Sequence, residues 1–213
     1  MPDTNNVVRW GIVGLGGVVA EVVAPAMVAM GGGRLIACAG RTLGKSQAFA
    51  AQFGVERVYP DHTALMADPD VDAVYIATPN ALHHPVVMAA ARANKHVLCE
   101  KPFALTVDEG EQMVTACRDA GVILRVAHQI RLEPALQHVR AVIQAGTVGE
   151  LRSVTFERTA PMRERGAWRS ELRQGGILFD VARLSEVIDC WLSAVPCRFS
   201  IQLAQSQHHA PFV

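Results

Sequence analysis

Residues 7–13 form an almost continuous apolar run, broken only by Arg9 and Gly11, and the run empties into GLGGVV. An apolar stretch with helical spacing follows to Met30. A strand apolar on both faces belongs in the middle of a parallel sheet. A glycine turn between such a strand and a helix has a defined use. Gly14 permits the tight turn, and Gly16 lets the backbone approach a pyrophosphate. The helix N-terminus offers unpaired N–H groups and partial positive charge. Val19 stands at the third small position of G-x-G-x-x-G/A, where close helix–strand packing favours Gly or Ala, with Ala20 beside it. Pro25 predicts a kink or break in the helix. A purely structural glycine turn is the alternative reading of these residues.

The rest of the chain keeps the alternation. Residues 34–39 (RLIACA), 71–77 (VDAVYIA), 97–99 (VLC) and 122–127 (VILRVA) read as strands. Residues 44–53, 62–67, a stretch with Pro85 in its first turn, 106–120 and 132–145 read as helices. Thr106 and Glu109 have the spacing of a capping box. Strands alternating with helices predict an α/β fold, a parallel sheet covered on both faces with right-handed crossovers. Near Gly149 the texture changes. Residues 151–159 alternate apolar and polar, 160–176 read as a loop, 177–192 as a helix and 196–204 as a further strand.

The reactive side chains fall at strand ends. Residues 97–102 read VLCEKP, so a glutamate, a lysine and a proline follow a short buried strand. In an open α/β sheet, ligands sit outside the carboxyl ends of the strands. Lys101 is a proton-carrying group at such a place, and Pro102 supports a turn that aims it. The bland alternative is a surface lysine in a strand–helix loop. The strand 34–39 ends in Gly40-Arg41-Thr42, with Lys45 close behind and no carboxylate to hold the ribose 2′-OH of NAD. Arg41 instead suits a 2′-phosphate or the adenine face, which favours NADP over NAD. A solvated loop charge is the other reading of Arg41. His83 and His84 are adjacent and cannot share one helix face as ligands, so no metal site is expected. His83 is expected as a hydrogen-bonding loop residue near the cofactor.

Composition narrows the classes. Twenty Lys and Arg balance twenty Asp and Glu, with no basic stripe for nucleic acid and no polybasic arm for a membrane. The five cysteines are scattered and form no C-x-x-C pair. Cys38 and Cys99 fall in apolar strands, as buried thiols in a reducing compartment do. The polar N-terminus has no signal-peptide core, and the glycine-rich 11–33 stretch is not a membrane span. A soluble cytoplasmic protein is expected.

GIVGLGG, ATPNALHH, HVLCEKPFALT, VAHQIRLEP and WRSELRQGGILFDVA occur in this order. Together they resemble the glucose–fructose oxidoreductase, inositol dehydrogenase and rhizopine-catabolism (Gfo/Idh/MocA) family, over nearly the whole chain to about residue 200. The E-K-P tripeptide with its flanks is the specific signal. The resemblance implies an α/β fold: a Rossmann-type doubly wound parallel sheet over residues 1–128, then a truncated α+β substrate domain over 129–213. The family's second domain carries a large, mostly antiparallel sheet that usually builds the oligomer interface. Its members generally move a hydride between NAD or NADP and a carbon bearing a hydroxyl or carbonyl, most often on a sugar or polyol.

Residue by residue, Gly14, Gly16 and Gly17 match the pyrophosphate turn, with Leu15 and Val18 in the same cofactor-binding stretch. Arg41 matches the residue along the adenine ribose. Thr78, Pro79, Asn80 and His83 match the loop on the nicotinamide side. Glu100 matches the glutamate beside the cofactor, and Lys101 the lysine at the reacting centre. Arg131, Trp168 and Arg169 match positions flanking the active site, and Asp180 the aspartate that orients substrate or the proton-transferring group.

Two departures bear on function. The family pattern places His or Tyr four residues after Asp180, and here that residue is Leu184. Leucine carries no proton, so Lys101 does the proton work alone, or the chemistry differs or is lost. The chain also stops where family members continue their large sheet, which leaves edges for a second copy or a partner chain to cover. The readings that follow are an NAD(P)-dependent sugar or polyol oxidoreductase, a non-catalytic dinucleotide-binding protein, and a truncated remnant of such an enzyme.

Overall fold

The computed structural model describes residues 7–150 and two short strands, Ser153–Val154 and Arg198–Phe199. Six strands form one parallel sheet: β1 (Val8–Val13), β2 (Gly33–Ala39), β3 (Arg57–Tyr59), β4 (Ala73–Ile76), β5 (His96–Cys99) and β6 (Leu124–Val126). Their order is β3-β2-β1-β4-β5-β6. The chain steps outward from β1 on one side and then restarts beside β1 on the other. The order therefore reverses between β1 and β4, the switch point of a Rossmann-type doubly wound sheet.

Alternation along the strands divides the core into two layers. On one face Val74, Ile76, Val97 and Cys99 pack with Val86, Val87, Ala90, Met113 and Cys117. Those partners come from α4 (His83–Arg92) and α5 (Val107–Asp119). On the other face Ile12, Leu35, Cys38 and Tyr75 pack with Val19, Ala24, Phe49 and Ala50. Val19 and Ala24 belong to the helical run ending in α1 (Ala24–Ala29), Phe49 and Ala50 to α2 (Leu43–Phe53). Each large apolar side chain fully buried this way contributes about 1.5–3 kcal/mol. The short α3 (His62–Met66) adds Leu65 and Met66 to the first face. It starts at Asp61, whose carboxylate accepts the Ala64 N–H at 2.8 Å.

Local sequence explains most boundaries. Thr106 Oγ1 accepts the Glu109 N–H at 3.2 Å, and the Glu109 carboxylate reaches back to the Leu105 N–H at 3.0 Å. The helix after the glycine turn differs from expectation, because its irregularity lies upstream of Pro25. Val19–Val23 forms a π-turn, closed by the Ala24 N–H on the Val19 carbonyl, and Pro25 sits in the first turn of α1. An α-turn would press the proline ring against the carbonyl four residues back, and the wider turn relieves that clash. β3 has no counterpart among the predicted strands, because three residues are too few to show alternation.

The chain divides into two compact units, and the described part of the first ends at Ala127. The second begins at His128 with a 3₁₀ turn (Gln129–Leu132) and α6 (Pro134–Gln144). β7 (Ser153–Val154) and β8 (Arg198–Phe199) pair in parallel. The expected antiparallel sheet and the helix over 177–192 lie outside the described residues. Among the described residues, no helix is long and apolar enough to cross a membrane.

Candidate active site

Parallel pairing puts Ala39, Val13, Ile76, Cys99 and Val126 in one row across the sheet. Backbone bonds carry the ladder one step further. The Gly14 N–H donates to the Ala39 carbonyl (2.9 Å), Ala77 to Val13 (2.8 Å), Glu100 to Ile76 (2.8 Å) and Ala127 to Cys99 (2.8 Å). The carboxyl edge of the sheet is thus level, and its connecting segments leave side by side. β1 and β5 are two strand spacings apart, so the glycine turn and the Glu100-Lys101 segment leave the edge about 10 Å from each other.

The glycines of that turn serve different ends. Gly14 has φ +94°, and a Cβ there would sit 2.5 Å from the Ala77 carbonyl oxygen. The chain leaving β1 lies directly on the chain leaving β4, and only glycine fits. A Cβ on Gly16 would meet no protein atom within 4 Å. Packing does not demand glycine at 16, and the space beside it is open. Gly16, Gly17 and Val18 are exposed, while Leu15 packs partly against the second core layer. Val19 is turned inward and fully buried in that layer, so the larger residue at the third small position is a core side chain.

Beyond β4, Pro79 is exposed and Asn80 is buried at the start of a 3₁₀ turn, Asn80–Leu82. The Thr78 hydroxyl is buried and has no hydrogen-bond partner among the described residues. Leaving such a group unpaired costs about 1–3 kcal/mol, and a bound polar group would remove that cost.

Beyond β5, Glu100 and Lys101 are both buried, each 9 % exposed. The Glu100 carboxylate accepts the Tyr75 hydroxyl through one oxygen and the Lys101 N–H, at 3.1 Å, through the other. Burial, and then Glu100 itself, pushes the Tyr75 phenol up, so it stays a protonated donor. The Lys101–Pro102 peptide is cis. Tyr75 is a site residue that the sequence motifs miss. Its signal was a tyrosine inside an apolar strand, where a buried hydroxyl must find a partner.

His83 is placed differently from expectation. It opens α4 instead of lying in a loop, and it is 1 % exposed. Its Nδ1 lies 2.8 Å from the Pro102 carbonyl oxygen and its Nε2 3.0 Å from that of Thr78. Burial pushes its pKa down. Both ring nitrogens therefore face backbone carbonyls, and the single N–H of the neutral ring donates to one of them.

Arg41 is exposed just past β2. A Cβ on Gly40 would meet Ser46 Oγ at 2.8 Å and Leu15 Cδ1 at 3.0 Å, so an acidic side chain at that strand end would need its neighbours to move. Arg131 lies in the 3₁₀ turn of the second unit. Trp168, Arg169, Asp180 and Leu184 lie outside the described residues. Among the described residues, no group of three or more His, Cys, Asp or Glu is gathered to hold a metal. Cys38, Cys99 and Cys117 are free and buried, and burial lifts the Cys38 thiol to about 11, which leaves it protonated. The open space at Gly16, the unpaired Thr78 hydroxyl and the buried lysine share one edge, an arrangement that fits a dinucleotide laid across the switch point.

The model of the family described as an oxidoreductase family with an NAD-binding Rossmann fold matches residues 8–128. The chain is 35 % identical over 176 residues to the 1,5-anhydro-D-fructose reductase of Ensifer adhaerens, covering 81 % of this chain and 53 % of that protein. It is 38 % identical over 146 residues to a D-xylose 1-dehydrogenase (NADP(+)) of Haloferax volcanii, covering 68 % of this chain and 44 % of that one. Its fold matches the 3-ketoreductase KijD10 of Actinomadura kijaniata, solved with NADP and TDP-benzene, at a TM-score of 0.79 and 30 % identity, over 88 % of this chain and 58 % of that one. The chain thus spans about half the length of the curated relatives it matches. With the level carboxyl edge, the glycine turn and the E-K-P segment in register, the chain belongs to the Gfo/Idh/MocA oxidoreductase family.

Proposed function

We propose that the first unit binds NADP(H) along the carboxyl edge of its sheet, and that the protein oxidises or reduces a hydroxyl- or carbonyl-bearing carbon of a sugar or polyol. The observation that carries this reading is the buried Glu100-Lys101 pair on the same level edge as the open glycine turn. Relatives named as sugar reductases and dehydrogenases support the substrate class.

When bound, a nicotinamide cofactor would supply the hydride chemistry. This chain's residues supply position and the proton. Gly16 and the start of the following helix would take the pyrophosphate. The Thr78 hydroxyl would gain a partner beside it. Tyr75 and the Lys101 N–H fix the Glu100 carboxylate, and that fixes the backbone from which the Lys101 side chain springs. Lys101 would donate a hydrogen bond to the substrate oxygen, or exchange a proton with it.

NADP is the preferred form in this reading. No carboxylate ends β2, Gly40 leaves no easy room for one, and exposed Arg41 suits a 2′-phosphate. Leu184 supports a second reading, a dinucleotide-binding protein without turnover. Fluorescence titration of the chain with NADPH and NADH, with melting curves alongside, tests both. The expected result is saturable NADPH binding with a raised melting temperature. NADPH should bind about tenfold or more tighter than NADH, and Arg41→Ala should collapse that ratio. Binding of neither cofactor would overturn the proposal, and binding with no turnover on any aldose, ketose or polyol would favour the second reading.

A further inference from the structure

The His83 ring bridges the segments leaving β4 and β5, with one nitrogen within hydrogen-bonding distance of a backbone carbonyl on each. Through Nε2 it meets the Thr78 carbonyl, on the residue whose hydroxyl is unpaired. Through Nδ1 it meets the Pro102 carbonyl, one residue past Lys101. The ring is sealed from solvent and set on the first turn of α4, so it cannot swing away without moving the helix start. On the other side of Lys101, Glu100 is already fixed by Tyr75 and by its N–H bond to Ile76. Lys101 therefore sits between two anchored residues, and His83 supplies the second anchor.

We propose that His83 is a positioning residue that clasps the two loops of the cofactor mouth, setting the spacing between Thr78 and Pro102 and hence where Lys101 is presented. This rests on the reading that the carboxyl edge receives NADP(H). A neutral imidazole has one N–H and can donate to one carbonyl at a time. Burial, foremost, and Lys101 oppose a second proton, while the Pro102 and Thr78 carbonyls and Glu100 favour one, and the balance holds the ring's pKa down.

Amide side chains separate the two bonds. The nitrogen of Asn occupies roughly the place of Nδ1, and that of Gln the place of Nε2. His83→Asn should keep the Pro102 bond, and His83→Gln the Thr78 bond. Backbone hydrogen exchange is read for residues 78–82 and 100–105 in the wild type, both amide variants and His83→Ala. The alanine variant should exchange faster in both segments, by about a few-fold in each, because the single N–H is shared between the two carbonyls. The asparagine variant should protect 100–105 only, and the glutamine variant 78–82 only. Unchanged exchange in the alanine variant, or the same pattern in both amide variants, would overturn the clasp. If the alanine variant does not fold, the asymmetry between the amide variants decides.

NADPH titration of the same four proteins tests the positioning. Binding should weaken about tenfold in the alanine variant and recover in at least one amide variant. Wild-type affinity in an alanine variant with loosened loops would overturn the positioning role. A wild type that binds no NADPH would instead overturn the proposed cofactor site, while the exchange data still decide the clasp.

Discussion

β5 carries a buried lysine just beyond each end, Lys95 before it and Lys101 after it, 8 % and 9 % exposed. The Lys95 ammonium donates to the Asp68 and Val71 carbonyls at 2.7 and 2.8 Å. Around it the amino edge of the sheet is closely paired. Arg9 meets Asp70 and Asp72, Arg57 meets Asp68 and Asp70, and the Tyr59 hydroxyl donates to Asp68. These groups tie the starts of β1, β3, β4 and β5 together and satisfy one another. The carboxyl edge around Lys101 holds an unpaired threonine hydroxyl and open space beside Gly16. Buried charge at one end completes the fold; at the other, in the proposed reading, it prepares the fold for a ligand.

The sharpest separation is expected from Lys101. Lys101→Ala should lower turnover with NADPH and a sugar substrate by about 10²- to 10⁴-fold, with NADPH affinity of the folded variant close to wild type. Equal turnover in a folded Lys101→Ala variant would remove the lysine from the chemistry and make the two ends of β5 alike.

Next comes the glycine pair. Gly14→Ala meets both a φ of +94° and the Ala77 carbonyl, and should cost about 3 kcal/mol of stability by urea unfolding. Gly16→Ala meets nothing in the protein and should change stability by less than about 0.5 kcal/mol. It should nonetheless weaken NADPH binding about tenfold, because the backbone there can no longer approach the pyrophosphate. If the second variant binds like the wild type, the open space at residue 16 is not a phosphate seat.

Much of this contrast was legible in the chain. The strand–glycine–helix pattern, the capping box at Thr106 and the E-K-P segment are local signals. Each is written within a few residues, and each stands where the pattern predicts. What escaped is long-range. Arg9 reads only as a blemish in an apolar strand, because its partner Asp72 is 63 residues away. Lys95, Asp68 and Tyr75 owe their roles to neighbours that the sheet brings together, and no spacing in the sequence announces them. β3 needs β2 beside it to be a strand at all. His83 sits in a recognisable motif, yet its work is set by two carbonyls, one of them 19 residues on.

Lys95→Met tests the other end of the strand. It removes the ammonium donor from the Val71 carbonyl and leaves the Asp68 carbonyl only the Val71 N–H at 3.3 Å, and should lower stability by about 2 kcal/mol in urea unfolding. NADPH affinity of the folded fraction should match wild type. A large loss of affinity at unchanged stability would mean that the amino edge also serves the ligand.

The smallest effect belongs to Asp72 and depends on pH. The Arg9 side chain, aided by the Arg9 N–H, holds the Asp72 carboxyl below the usual carboxylate range, against the opposing effect of burial. A group whose folded pKa is depressed stabilises the protein above its unfolded value, about 3.9. That contribution fades as pH falls through the folded pKa. The pair is partly exposed, so the effect is modest. Asp72→Asn should lower the melting temperature by about 2–4 °C near neutral pH. The difference from wild type should narrow on acidification, once both proteins carry an uncharged group at this position. Thermal melts of the two proteins from neutral pH down to about pH 3 provide the check. Curves that stay parallel throughout would show that Asp72 holds the edge by shape and hydrogen bonding and not by charge, which would leave Arg9 a neutral fit at the start of β1 and the electrostatic contrast between the two edges resting on Arg57 and Lys95.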